Sequence, residues 1–448
     1  YGDGVYKSTD GGKSWKNMGL YDSQHIGRII VDPRNSDVVF VAAEGPLWSP
    51  GGDRGLFKTT DGGQTWKAVL EISENTGVTS IAYDPRNPDV MYAASYQRRR
   101  HVGLLIGGGP ESAIYKTSDG GKSWKKLTNG LPEVDKGRIA LAVSPQKPDV
   151  VYALVCAAGD QSGFFRSADG GETWTRQSGY EVVDPQYYGE IYPDPHQYDR
   201  VYAIDSTIHV TEDGGQKFQP VPWRAHVDHH AIVFDPTDEN HLLVGNDGGL
   251  YESYDHGETW RHFTNLPTSQ FYRVATDNAR PFYNVGGGTQ DNGSMAGPSR
   301  TQHRVGIRAS EWIQTGGGDG FQSRFHPEDE NIIYSMSQDG AISRLDKRTG
   351  ISVSIQPTVA EGAAQPRWHW DTPFIISPYS PERLFMAGNR LYRSDDRGDH
   401  WQAVSDDLTR QLDPDKQVVM GGIWGKDAVQ KNRFSTSLSV STALSESP

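Results

Sequence analysis

An eight-residue phrase, Ser8-Thr9-Asp10-Gly11-Gly12-Lys13-Ser14-Trp15, recurs along the chain and restricts what it can fold into more than any other feature. It returns at Thr59–Trp66, Thr117–Trp124, Ser167–Trp174, Thr211–Phe218, Ser253–Trp260 and Ser394–Trp401, always as Ser/Thr-x-Asp-x-Gly-x-x-Trp or Phe. A unit copied at a steady period decides the architecture before any single residue is weighed. Trp15, Trp66, Trp124, Trp174, Phe218 and Trp260 follow one another at intervals of 42–58 residues, the length of a four-stranded propeller blade.

The phrase has the chemistry of a turn. A short Asp side chain accepts backbone N–H groups a little further on, and the Gly takes a positive φ without a Cβ clash. The Trp then covers the sheet with a large ring. Around each phrase the units repeat one plan: an inner strand closing on Asp-Pro or a variant (Asp32-Pro33, Asp84-Pro85, Ser144-Pro145, His326-Pro327, Ser377-Pro378), then a β-branched and aromatic second strand such as Val38-Val39-Phe40-Val41. The units near 270–313 and 318–356 have lost the phrase.

The expected fold is therefore all-β: multi-bladed β-propellers of four-stranded blades joined by aspartate-box turns. Eight complete units are expected, with a half unit at the start and a further strand near Ser437. That number suggests tandem seven-bladed rings, with residues 1–317 in one domain and 318–448 running into a second. Tyr1-Gly2-Asp3-Gly4-Val5-Tyr6-Lys7 aligns with the third strand of the following unit, and Ser447-Pro448 with the close of a first strand. The expectation is a chain truncated at both ends.

A formal net charge of −13 argues against nucleic-acid binding, which needs a basic footprint. The sequence has no apolar run long enough to span a membrane. Cys156 is the single cysteine, so no intrachain disulfide can form.

The phrase resembles the aspartate box of sialidase-like propellers, and the tandem arrangement resembles that of the family-74 glycoside hydrolases, the xyloglucanases. The sortilin luminal domain is similar in its boxes, as are long bacterial BNR-repeat, sortilin-like glycosyl hydrolases. The resemblance covers nearly the whole chain and implies a secreted, periplasmic or cell-surface protein. It implies polysaccharide or oligosaccharide ligands, with a protein partner as the sortilin-like alternative. Fold resemblance is specific here, while function has to be argued from a site.

Candidate sites fall in the loops leading into inner strands and in those joining second to third strands, which share one face of a propeller. Three readings follow. In the first, Asp319 and Asp228 act as paired carboxylates on a glycosidic bond, about 5–9.5 Å apart, with Glu190, Asp247 and Asp291 as substitutes. Gly316-Gly317-Gly318-Asp319-Gly320-Phe321 resembles the glycine-flanked catalytic aspartate of the xyloglucanases. Tyr187, Tyr188, Phe271, Tyr272, Trp368 and Trp370, with Glu190 and Arg273, are expected to bind sugar. In the second reading His226, Asp228 and His230 alternate along a strand and converge on a divalent metal ion. The third is a non-catalytic binding or scaffold platform recognising peptide, glycan or a partner protein. The run Arg98-Arg99-Arg100-His101 reads as a solvated loop or an anion clamp.

Overall fold

The structure, a computed structural model, describes residues 2–101, 104–182, 185, 187–266, 268–359, 362–411 and 431–432. The strand expected near Ser437 and the Ser447-Pro448 alignment lie outside these residues. The blade plan is realised: among the described residues a two-stranded half blade (Tyr6–Lys7, Lys16–Asn17) precedes eight complete blades. Their strands pair antiparallel in chain order, as in Ile26–Val31, Val39–Ala43, Gly55–Thr59 and Lys67–Leu70 of the first. The units that lost the box, at 271–316 and 323–354, keep the same four strands.

The boxes show why the phrase is so constant. In every copy the leading Ser or Thr hydroxyl accepts the N–H of the Gly four residues on, at 2.8–3.1 Å. The same hydroxyl donates to Asp Oδ1, as Ser167 does to Asp169 at 2.8 Å. The Asp reaches further than the short turn expected: Asp169 Oδ1 accepts the N–H of Thr173, and Oδ2 its hydroxyl. Gly171 at φ +87° holds the left-handed position that a side chain disfavours, and a Cβ there would come within 2.9 Å of the Tyr92 ring. The tryptophans act between blades, not only across their own sheet. Trp66 Nε1 donates to Met18 O of the preceding unit at 2.7 Å, and Trp401 Nε1 to Ile355 O at 2.7 Å.

The core lies between neighbouring blades. Tyr92, Ala94 and Ile114 of the second blade (76–127) interdigitate with Ile139, Leu141 and Val151 of the third (136–178). At the rim a charged residue just after the inner strand ties one blade to the next. Arg34 bonds Asp32 at 2.6 Å and Asp89 of the next blade at 2.8 Å, and Arg86 repeats this with Asp84 and Asp149.

One blade departs from the plan. Its second strand, Asn87–His101, is 15 residues long and continues past the blade to pair with Leu104–Gly107, which carries Lys431–Asn432 on its other side. The segment read from sequence as a solvated basic loop is thus a strand, with Arg98 and Arg99 buried; the side chain of His101 lies outside what is described. The described residues divide into two compact units, 2–264 with Lys431–Asn432, and 265–411. The first holds the half blade and five blades, the second the blades at 271–316, 323–354 and 374–403. Among the described residues no helix is long and apolar enough to cross a membrane.

Candidate functional site

In the second unit the glycine-flanked Asp319 sits in the loop before the inner strand Ser323–Phe325 and is 5% exposed. Its Oδ2 accepts Trp370 Nε1 at 2.9 Å, and its Oδ1 accepts the Asp291 N–H at 2.8 Å. Gly320 is required beside it, because a Cβ there would lie 2.3 Å from Gly293 O. Tyr272 and Phe321 stack with ring centroids 5.0 Å apart. Burial, then the charges of Asp319, Asp291 and Asp371, push the Tyr272 hydroxyl up to about 12. Arg273 donates to Asp371 Oδ2 at 2.7 Å, while Asp371 Oδ1 is buried with no acceptor role filled. The second unit thus gathers Asp319, Arg273, Trp370 and Tyr272 from three blades. Asp371, which sequence reasoning missed, stands directly after Trp370, the signal that could have found it.

Trp368 corrects one expectation. It is 9% exposed and packs in the core against Tyr392 and Met386, and a Cβ on Gly340 would lie 2.8 Å from its ring. The segment around it is irregular, so Trp368 and Trp370 do not share a face as strand residues two apart would. Trp370 alone of the two remains exposed.

In the first unit Tyr187, Tyr188 and Glu190 precede or open the inner strand Glu190–Pro193. The two tyrosine rings lie 6.0 Å apart, and Tyr188 stands 5.5 Å from the His230 ring. His230 Nε2 is 2.8 Å from Asp247 Oδ1, and Glu190 is paired with Arg138. Behind them lies Glu44, bonded to Arg98 at 3.0 Å and to the Thr79 hydroxyl at 2.7 Å. Burial raises the Glu44 carboxyl, but the Arg98 and Arg138 charges and these bonds outweigh it and hold the group below its ordinary value.

The alternation behind the metal reading does not occur. The strand begins at His229, and Asp228 sits before it at φ +67°, so 226–228 is irregular backbone and not strand. That segment is fastened by Trp223 Nε1 and Asn246 Nδ2, which both donate to His226 O. His229 points into the core against Trp223, at 4.6 Å and 87° between rings, while His230 turns out to Asp247. Among the described residues His226, Asp228 and His230 are not brought within reach of one ion. Asp228 belongs to the first unit and Asp319 to the second.

A family model described as Sortilin, neurotensin receptor 3 (Sortilin-Vps10) matches residues 3–156 and 162–291. The chain belongs to the Sortilin-Vps10 family. Among curated proteins, this Sortilin-Vps10 chain is 27% identical over 174 residues to a sialidase of Bacteroides fragilis, covering 31% of each chain. It is 28% identical over 123 residues to the oligoxyloglucan-reducing end-specific xyloglucanase of Emericella nidulans, 27% of this chain and 13% of that one. The match thus spans under a third of these relatives' own length. Among solved structures, the GH74 xyloglucanase of Xanthomonas campestris is similar at 15% identity and a TM-score of 0.38, over 90% of this chain and 75% of that one.

Proposed function

We propose that this Sortilin-Vps10 chain is a carbohydrate-active propeller whose second unit cleaves a glycosidic bond at Asp319. The observation that carries the reading is the setting of that carboxylate. It is buried, reached by glycine backbone, fixed by Trp370 Nε1 and the Asp291 N–H, and flanked by the exposed rings of Tyr272 and Trp370. A carboxylate that already accepts hydrogen bonds on both oxygens suits the nucleophile or base of glycoside hydrolysis. Asp371, paired with Arg273, supplies the second carboxylate of the site. The exposed aromatic rings stack on sugar faces.

Relatives named as a sialidase and xyloglucanases support polysaccharide or oligosaccharide substrates, and a place outside the cytoplasm follows from such a substrate. Screening the protein against a polysaccharide panel, xyloglucan and sialylated glycans included, for released reducing ends tests the activity. Release from at least one glycan is expected, and release from none contradicts hydrolysis.

A second reading has its own observation. Glu190 and Asp247 in the first unit, like Asp319, are already engaged by donors. Such ordered polar surfaces suit a rigid platform that recognises a glycan or a partner protein without cutting it. Glycan binding by calorimetry with no products formed selects this platform.

A further inference from the structure

In the second unit, the blade at 271–316 joins its third strand, Ser294–Pro298, to its fourth, Ile313–Gly316, by the loop 299–312, where other blades carry their box. The loop runs Ser299-Arg300-Thr301-Gln302-His303-Arg304-Val305-Gly306-Ile307-Arg308 and meets no acid until Glu311. The box of the last blade instead carries Asp395, Asp396 and Asp399. In a chain of net charge −13 the loop is a local reversal of sign.

Its fold pushes that charge outward. Glu311 is spent at the base, where its Oε2 accepts the Arg308 N–H at 2.8 Å. Trp312 closes the loop over Gly297, where a Cβ would lie 2.5 Å from the indole. The Gly306 N–H donates to His303 O at 3.1 Å and turns the tip, with Gly306 at φ +87°. Every residue from 302 to 310 is exposed, and at the tip Val305 is 81% exposed. The Arg308 guanidinium donates to an imidazole nitrogen, His303 Nδ1, at 2.7 Å.

The connection between the first and second strands lies at the same end of the blade. The Ser299 N–H donates to Tyr283 O at 3.0 Å, and the Arg300 guanidinium stands 5.0 Å from the centre of the Phe282 ring. Phe282, Tyr283 and the preceding Arg280 are exposed, while Asp277 is buried and bonded to Asn284. Two aliphatic tips, two aromatic rings and four arginines therefore share one end of one blade. Exposed apolar groups gathered in this way mark a contact surface.

We propose that this end of the blade docks on an anionic lipid surface, with Val305 and Ile307 entering below the headgroups and Arg280, Arg300, Arg304 and Arg308 meeting the headgroup phosphates. Apolar tips flanked by arginines suit the boundary between acyl chains and charged headgroups. A soluble polyanion would use the arginines and leave the tips in water. The acidic remainder of the chain is repelled from such a surface, which orients the contact. Gly316, at the other end of the blade, leads into the loop that holds Asp319, so docking leaves that loop in water. The docking surface stands whether or not Asp319 hydrolyses glycans.

The test is flotation of the full chain with vesicles of equal parts phosphatidylglycerol and phosphatidylcholine, with vesicles of phosphatidylcholine alone, and retention on immobilised dextran sulfate. Wild-type protein is expected to float with the anionic vesicles and not with the neutral ones. Arg300→Gln and Arg304→Gln should each lower the partition coefficient about fivefold. Val305→Asn together with Ile307→Asn should lower it about tenfold or more and leave retention on dextran sulfate unchanged. These positions are exposed, so melting temperatures should stay near wild type. Val305→Trp should shift its emission to the blue on anionic vesicles, as a ring leaving water does. Flotation no greater with anionic than with neutral vesicles overturns the proposal. Full flotation of the Val305→Asn, Ile307→Asn protein also overturns it and assigns the arginines to a soluble polyanion.

Discussion

His229 shows how one buried side chain sets a pH response. Burial, then the neighbouring His230 and His226, depress its imidazole to about 4, and neither ring nitrogen has a hydrogen bond. A histidine whose folded pKa lies below its unfolded one, near 6.5, contributes stability that is intact above that value and is lost as pH falls toward 4. The loss is about 3 kcal/mol by the size of the shift. Melting curves between pH 7 and 4 should show this decline, and His229→Phe should flatten it. A second residue-scale expectation concerns Ser167, whose buried hydroxyl satisfies the Gly171 N–H and orients Asp169. Ser167→Ala leaves that N–H unfilled and should cost about 1–3 kcal/mol in urea unfolding. Glu44 and Arg98 give a third. Arg98→Met alone strands a buried carboxylate and should cost about 3–5 kcal/mol, while adding Glu44→Gln should recover much of it.

At the scale of the element, the box is an acid-sensitive fastener. The Thr173 hydroxyl holds Asp169 near pKa about 2, and the Ser14 hydroxyl does the same for Asp10, with Asp61 and Asp119 lowered further by their own hydroxyl partners. These carboxylates have depressed folded pKa values, so their contribution is full above about pH 4 and disappears as pH falls toward 2. Acid unfolding should therefore proceed in two stages, the histidine first and the boxes second. A single loss above pH 5 would contradict this. The blades were legible because seven copies of one turn average out local ambiguity, and even the box-less units kept their strand pattern. The long strand Asn87–His101 was not legible. Three consecutive arginines carry no sign of burial, which here comes from the distant 44–54 loop and from the pairing with Leu104–Gly107. The His226–His230 run misled because period-two reasoning fails outside a strand, and Asp228 at φ +67° lies ahead of the strand that begins at His229.

For the molecule as a whole, the loops singled out from the sequence fall in both of its units. Asp319, Arg273 and Trp370 meet in the second, as expected of loops leading into neighbouring inner strands. Asp228 falls in the first unit, which runs to residue 264. The proposed function stands or falls with chemistry by Asp319 on a glycan. It is tested most directly by comparing kcat/KM and oligosaccharide affinity for wild type and Asp319→Asn on whichever glycan the panel identifies. Asp319→Asn keeps the shape of the side chain and should lower kcat by about 10²-fold or more while leaving affinity nearly unchanged. Turnover unchanged in Asp319→Asn would contradict the account.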